Sequence, residues 1–284
     1  MNDMKLSYFT NDESFPLFVQ YGEHDVPLFI HGHEDFYELV TVMDGSAVHI
    51  VDGERSAISK GDVFVIGNGI SHGFDKTQSL RICNIMYRPD MLFSGDLDIR
   101  RLPGFHALFL LEPYFNSTQH FQSRLRLTPA DFRLIQPLLN TAEREYISDK
   151  PGSRTMVLSC VRQLAVILSR LYESPSKPRE ITGIAEAAAF METSFADNIA
   201  IADVIERSHY SQRHFIRLFS AAYGMTPQRY LIDVRLRHAG TLLRESSLSV
   251  TEIAMRCGFD DSNYFSRIFR KYTGTSPSEF RGIK

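Results

Sequence analysis

The sequence predicts an α+β chain of several parts: an N-terminal antiparallel β-barrel with a helical hairpin, then an all-α C-terminal domain with two helix-turn-helix units. Three observations predict it. Residues 26–88 hold short apolar runs separated by glycine turns, with no helical period between them. Beyond residue 103 the apolar spacing changes to three and four. The C-terminal part contains an internal repeat of about fifty residues.

The strands come in order. Phe36 to Met43 is β-rich and stops at Asp44-Gly45, and Ala47 to Val51 stops at Asp52-Gly53, a pair favoured in two-residue hairpin turns. Ser56 to Ser59 is short, and Val63 to Ile66 is closed by Gly67-Asn68-Gly69. Leu80 to Tyr87 alternates, with Ile82, Asn84 and Met86 on one side. Short strands without crossover helices imply an antiparallel barrel or sandwich. Residues 1–20 fit either an arm over the barrel mouth or an edge strand.

Thr128-Pro129 then reads as an N-cap followed by proline at the first helical position. Phe132, Ile135, Leu139 and Ala142 continue at helical spacing, with Pro137 expected to kink the helix. A second stripe, Met156/Val157, Cys160, Leu164, Ile167/Leu168 and Leu171, completes a hairpin whose apolar face either packs on the barrel or forms a dimer seam. The stretch Glu173 to Glu180, with two prolines and two serines, reads as a linker. The expected divisions are 1–125 for the barrel, 126–173 for the hairpin, 174–182 for the linker and 183–284 for the helical domain.

A chain of 284 residues fits two domains, and its 43% hydrophobic and 23% charged composition is that of a globular protein. No run approaches eighteen apolar residues, and the N-terminus has no apolar segment of the signal-peptide kind. Cys83, Cys160 and Cys257 are odd in number and far apart, which suits core-filling thiols in a reducing cytosol. Residues 183–284 hold 13 Lys/Arg against 11 Asp/Glu, a net +2, whereas 1–182 carry −5. That asymmetry is weak but points to the C-terminal part as the place to seek a nucleic-acid partner.

In the repeat, Phe215, Arg217 and Phe219 recur fifty places later as Phe265, Arg267 and Phe269, and Gly224 and Pro227 recur as Gly274 and Pro277. Each copy reads as helix, tight turn, helix, at 201–223 and 250–273, with leading helices at Ala202–Ser208 and Thr251–Cys257. Ser211 caps the first recognition helix, and Asp260 or Asp261 the second. Between them Thr226-Pro227 to Glu245 forms a helical spacer of about 27–30 Å, which suits two readers about one DNA turn apart.

Phe215, Leu218, Phe219, Phe265, Ile268 and Phe269 fall on the core face. Gln212, Arg213, Ile216, Arg217 and Ser220 fall on the outer face of the first helix. Ser262, Asn263, Ser266, Arg267, Arg270 and Lys271 do so on the second. Arginine suits guanine and asparagine adenine, while Arg270 and Lys271 suit phosphate. A solvated helix face is the plain alternative for either helix alone, and the repetition argues against it for both.

The stretch Val250 to Arg281 resembles the AraC/XylS family of transcription regulators over its whole length, and the resemblance covers residues 183–284. The first copy departs from the pattern: Ile205 stands where the family usually has alanine, and His209 where it often has the glycine of the turn. The resemblance implies base reading by Arg213, Arg217, Asn263, Ser266 and Arg267.

The N-terminal part resembles a cupin sensor domain through His31-Gly-His33, Glu38 and Gly45, then Gly61-Asp62, Gly69 and His72, with Gly67 in place of proline and Lys76 in place of asparagine. The layout is most similar to the rhamnose-responsive branch.

His31, His33, Glu38 and His72 make up the three-histidine, one-carboxylate set that binds divalent metal in catalytic cupins. Sensor cupins of this family generally look like metal-free pockets, so no cofactor is expected, and a metal on these four residues is the alternative. As a sensor, the barrel would hold its effector on His31, His33, Glu38, His72, Phe36 and Tyr87, with Tyr37, Phe64 and Phe74 as further flat faces for a sugar.

The resemblance implies a cytoplasmic regulator rather than an enzyme. Its partners would be double-stranded DNA, a carbohydrate effector, a second copy of the chain and RNA polymerase. Two other readings stay open: a metal-dependent cupin isomerase or dioxygenase with an added helical domain, and a dimeric DNA-binding protein that senses no ligand.

Overall fold

A computed structural model describes residues 3–93, 98–114, 125–172 and 179–282. Their contacts divide into two units, Met1–Ser94 with Gly104–Ile181, and Gly95–Pro103 with Thr182–Lys284. The helical hairpin therefore belongs to the barrel's unit, and a short segment before Gly104 goes with the C-terminal helices. Of the expected linker, residues 174–178 lie outside the described residues, and Arg179 already opens a helix.

The first unit is built on β1 (Asp3–Met4), β2 (Leu17–His24), β3 (Leu28–His33), β4 (Tyr37–Val51), β5 (Glu54–Ser59), β6 (Asp62–Ile66), β7 (His72–Tyr87) and β8 (Leu125–Arg126). The sheet order is β1-β3-β7-β4-β6-β8, with β2 added to β7 and β5 to β4. The sixteen-residue β7 organises it. Its first half pairs with β3, its second half with β2, and most of its length with β4. The N-terminal residues are thus partly strand: Leu17 to His24 form an antiparallel ladder with Tyr87 to Leu80.

Asp44-Gly45 does not end a strand, contrary to the sequence reading. The strand β4 runs through it on a β-bulge, with shifts in the β7 pairing between Val42 and Val48. Gly45 takes φ +74°, and an added Cβ would meet the Ser79 carbonyl oxygen at 2.1 Å, so only glycine fits. The bulge has a consequence along the strand. Before it, even-numbered Val40 and Val42 join the interior cluster; after it, odd-numbered Ala47 and Val51 do. One extra residue has exchanged the two faces. Asp52 and Gly53 do form the expected tight turn, both at positive φ.

The interior cluster comprises Val40, Val42, Phe64, Ile66, Phe74, Leu80 and Ile82 with their neighbours. The opposite face is covered in part by α1 (Pro129–Ser148) and α2 (Ser153–Tyr172). Helix α1 starts in a capping box between Thr128 and Asp131 and passes unbroken through Pro137. Pro137 and Arg133 are both exposed, so water can satisfy the carbonyl that the proline leaves without a donor. In α2, Val157, Cys160, Leu164 and Leu168 are buried, while Met156 is 46% exposed. This helix is long and apolar enough by composition to cross a membrane, but its stripe is packed into the unit's core.

The second unit contains α3 (Arg179–Ser194), α4 (Ile201–Arg207), α5 (Gln212–Tyr223), α6 (Pro227–Glu245), α7 (Val250–Arg256), α8 (Ser262–Thr273) and α9 (Pro277–Gly282). The leading helices α4 and α7 each start one residue earlier than the sequence suggests. The spacer is α6, capped by Thr226, whose hydroxyl accepts from the Arg229 amide at 3.3 Å. Its nineteen residues span about 28 Å.

Candidate nucleic-acid interface and buried histidine cluster

Each reader is held by the same packing. In the first, Val204 and Ile205 of α4 and Phe215, Leu218 and Phe219 of α5 are buried. In the second, Ile253 and Ala254 of α7 lie in one cluster with Phe259, Phe265 and Phe269. Ile268 is only partly buried, packed against that cluster. The turns differ as the sequences do. Gly258 sits at φ +80°, and His209, at the place where the family often has glycine, is itself forced to φ +59°. Left-handed backbone without glycine is uncommon, though histidine is among the residues that tolerate it. Ser208 secures the first turn, donating to the Ile205 carbonyl at 2.6 Å and accepting from the Tyr210 amide at 3.3 Å.

Ser211 is the N-cap of α5 by position but makes no side-chain cap bond. Asp261, not Asp260, caps α8, accepting from the Asn263 amide at 2.7 Å. Gln212, Arg213 and Arg217 on α5, and Asn263, Arg267, Arg270 and Lys271 on α8, are exposed. The other four expected positions are not. Ile216, Ser220, Ser262 and Ser266 are half-buried. The Ser220 hydroxyl oxygen is buried, and the Ser266 hydroxyl donates to the Ser262 carbonyl at 2.9 Å.

Among the described residues the close ion pairs of this unit engage Arg237, with Glu192 and Asp233. Arg213, Arg217 and Arg267 form none.

In the first unit, His31 and His33 on β3, Glu38 on β4 and His72 on β7 meet in the interior, all buried. His33 Nε2 lies 3.2 Å from His72 Nε2, and Glu38 Oε2 lies 3.5 Å from the first and 3.3 Å from the second. Burial pushes the His33 imidazole down to about 3, holds His72 well below its ordinary value, and pushes the Glu38 carboxyl up. The two imidazoles are thus neutral near pH 7, with a lone pair on each ring. Phe36 stacks on His33 at 4.3 Å.

Tyr87 is not part of this group. It pairs with Tyr37, one residue from Glu38 on the ladder, and so points to the other face. There it packs on Phe93, which in turn meets Phe105 and Phe109. Tyr37 shares that face, whereas Phe64 and Phe74 are interior.

Sequence reasoning missed His49, stacked between Phe64 at 4.4 Å and Phe74 at 5.0 Å and 5.7 Å from His72. It also missed His24, beside Phe74, and Asn84, which pairs with Val40 in the ladder and whose Oδ1 is buried without a hydrogen bond. The alternation of Ala47, His49 and Val51 was a signal for the first of these.

A β-barrel with a buried polar cluster, followed by two tandem helix-turn-helix readers, defines a DNA-binding regulator with a sensor domain. Comparison with known proteins agrees. A cupin domain model matches residues 18–86 and a helix-turn-helix domain model residues 204–283. The HTH-type transcriptional activator RhaS of Escherichia fergusonii is 32% identical over 89% of this chain and 87% of its own length. The HTH-type transcriptional activator RhaR of Mannheimia succiniciproducens is 28% identical over 97% of this chain and 94% of its own. The DNA-binding domain of AdpA, solved in complex with a target DNA, is 32% identical and covers 35% of this chain and 90% of its own, with a TM-score of 0.35. The chain belongs to the AraC family of helix-turn-helix transcription regulators; these named relatives are regulators of transcription, not enzymes.

Proposed function

We propose that this regulator is a transcriptional activator that reads DNA with Arg213, Arg217, Asn263 and Arg267 and answers to a sugar held in the barrel. One observation carries the reading of DNA. Arg217 and Arg267 stand exposed at equivalent places in the repeat, each between two buried phenylalanines, Phe215 and Phe219 or Phe265 and Phe269. Gln212 lies beside the first group, and Arg270 and Lys271, one turn beyond the second, supply phosphate contacts. Activation is supported by likeness to the two transcriptional activators, and the rhamnose-type sugar by the same likeness.

The effector would be held on the interior face, by Phe36, Phe64, Phe74, His24 and Asn84 around the histidine cluster. Binding would shift an equilibrium between conformers that present the readers differently. The protein acts as a cytoplasmic homodimer that engages RNA polymerase. In this reading residues 1–125 sense, 126–173 dimerise, 174–182 link and 183–284 bind DNA.

The test uses the full-length chain and DNA fragments upstream of the neighbouring operons, with fluorescence anisotropy at two salt concentrations. Tight binding to one fragment, weakened steeply by salt and altered by L-rhamnose, is the expected result. Equal affinity for all fragments, the random control included, would sink the reading of sequence. Specific binding with no thermal shift from any sugar in a panel would sink the sensor.

A further inference from the structure

A groove of about 550 Å³ opens on the second unit beside the turn of the first reader. Every residue that lines it belongs to that unit. Arg101 comes from the short segment before Gly104, and Arg207 and His209 come from the end of α4 and the turn after it. Glu186, Phe190 and Thr193 of α3 follow at intervals of four and three, which is one helix face. None of the residues expected to read DNA lines the groove. The space is larger than an inorganic ion fills and matches small-molecule sites, which run about 300–1,000 Å³.

Two features set this groove apart from solvated surface. The first is unpaired positive charge. Arg101 and Arg207 are exposed, and among the described residues the close ion pairs of this unit engage Arg237 and leave both out. The Arg207 guanidinium lies over the Phe190 ring, 4.2 Å from its centroid. Stacking uses the flat face of the group and leaves its N–H edge open to an anion. The second feature is His209. It stands in left-handed backbone at φ +59°, where glycine would carry no strain, and its exposed side chain lines the groove. Strain kept at such a residue points to a use for its side chain. The turn of the second reader has no such space: at Gly258 a Cβ would already meet the Phe195 carbonyl oxygen at 2.7 Å.

We propose that this groove binds a small phosphate monoester that carries hydroxyl groups, a sugar phosphate or polyol phosphate. A phosphate monoester brings about −1.5 to −2 charge at pH 7 and three strong acceptor oxygens. Two guanidinium groups and an imidazole match that charge and that number of acceptors, whereas a single carboxylate would occupy one arginine. The hydroxyl end of the ligand meets acceptors. Glu186 is outside the ion pairs named above, and the Thr193 hydroxyl donates to the Ala189 carbonyl at 2.8 Å, which leaves its own lone pairs open. An occupant would tie α3 to the turn that precedes α5. The site lies outside the barrel and goes beyond the regulator reading, because it stands whether or not the barrel holds a sugar.

The test titrates the full-length chain, in phosphate-free buffer, with glucose 6-phosphate, ribose 5-phosphate, glycerol 3-phosphate and inorganic phosphate, each alone, by calorimetry. At least one ester is expected to bind more tightly than inorganic phosphate, and glucose should not displace it. Arg101→Ala and Arg207→Ala should each weaken that ester about tenfold or more, as the loss of a charge-assisted hydrogen bond does. Arg207→Lys, which keeps the charge and loses the planar fork, should recover part of the loss. His209→Gly should weaken the ester as well. Melting curves confirm that each variant folds, as expected for exposed side chains. Failure of all three esters to bind overturns the proposal. So does binding that both alanine variants leave unchanged, or that glucose displaces, since the ester then sits elsewhere. Inorganic phosphate bound as tightly as every ester overturns it too, because the groove then takes the anion alone. If the alanine variants weaken a random DNA duplex while no ester binds, the groove holds backbone phosphate and the proposal falls.

Discussion

Tyr230 on α6 donates its hydroxyl to Oε1 of Glu192 on α3 at 2.7 Å, with both side chains buried. The same oxygen accepts from Arg237 Nη2 at 2.7 Å. One carboxylate thus fastens the spacer helix to the first helix of the second unit. Burial and the neighbouring Glu192 charge together hold the Tyr230 phenol well above its ordinary value, so it stays a donor at neutral pH. Removing the carboxylate in Glu192→Ala leaves Arg237, among the described residues, with the half-exposed Asp233 as its remaining ion-pair partner. The expected cost is about 3 kcal/mol, the lower end for breaking a buried pair. Urea denaturation of the C-terminal transition checks it; a loss under about 1 kcal/mol would mean that the pair contributes little net stability.

The two turns of the readers differ in what they tolerate. At Gly258 a Cβ would meet the Phe195 carbonyl oxygen at 2.7 Å and Arg235 Nε at 2.9 Å, on backbone already at φ +80°. Gly258→Ala is expected to cost about 2 kcal/mol or more, from left-handed strain and the clash together. His209→Gly relieves backbone strain at φ +59° and is expected to change stability by less than about 1 kcal/mol, since unfolded-state entropy offsets the gain. Thermal melts of the two variants side by side check this asymmetry.

The exposed basic residues divide by role. Arg267→Ala is expected to lose about 1–3 kcal/mol of discrimination between the specific fragment and random DNA. Arg270→Ala and Lys271→Ala should weaken both alike, each lowering the salt slope by about one. Anisotropy titrations across a salt series separate the two patterns. Equal weakening by Arg267→Ala would show that it touches phosphate, not bases.

All three cysteines are buried. Burial pushes the Cys83 thiol up to about 12, and the Cys160 thiol is raised for the same reason. The native protein is therefore expected to react with almost no thiol reagent at pH 8, and the denatured chain at all three positions. Rapid labelling of the native protein would show that one of these packed regions opens.

Much of this molecule is written in local pattern. The fifty-residue repeat places Phe215, Arg217 and Phe219 on the same template as Phe265, Arg267 and Phe269, because a helix face depends only on spacing. The Thr128 and Thr226 caps and the Asp52-Gly53 turn are legible for the same reason: each bond closes within a few residues. Tertiary structure decided the rest. His31, His33, Glu38 and His72 converge because β7 lies between β3 and β4 in the sheet, an order that no local spacing encodes. The interior position of His49 follows from the bulge at Gly45, which exchanges the faces of β4 partway along. Tyr87 is turned from the cluster by its register with Tyr37. Glu192 finds Tyr230 and Arg237 only through helix packing across about forty residues of chain. Periodicity fixes which side of an element is apolar; pairing between distant segments fixes what that side meets.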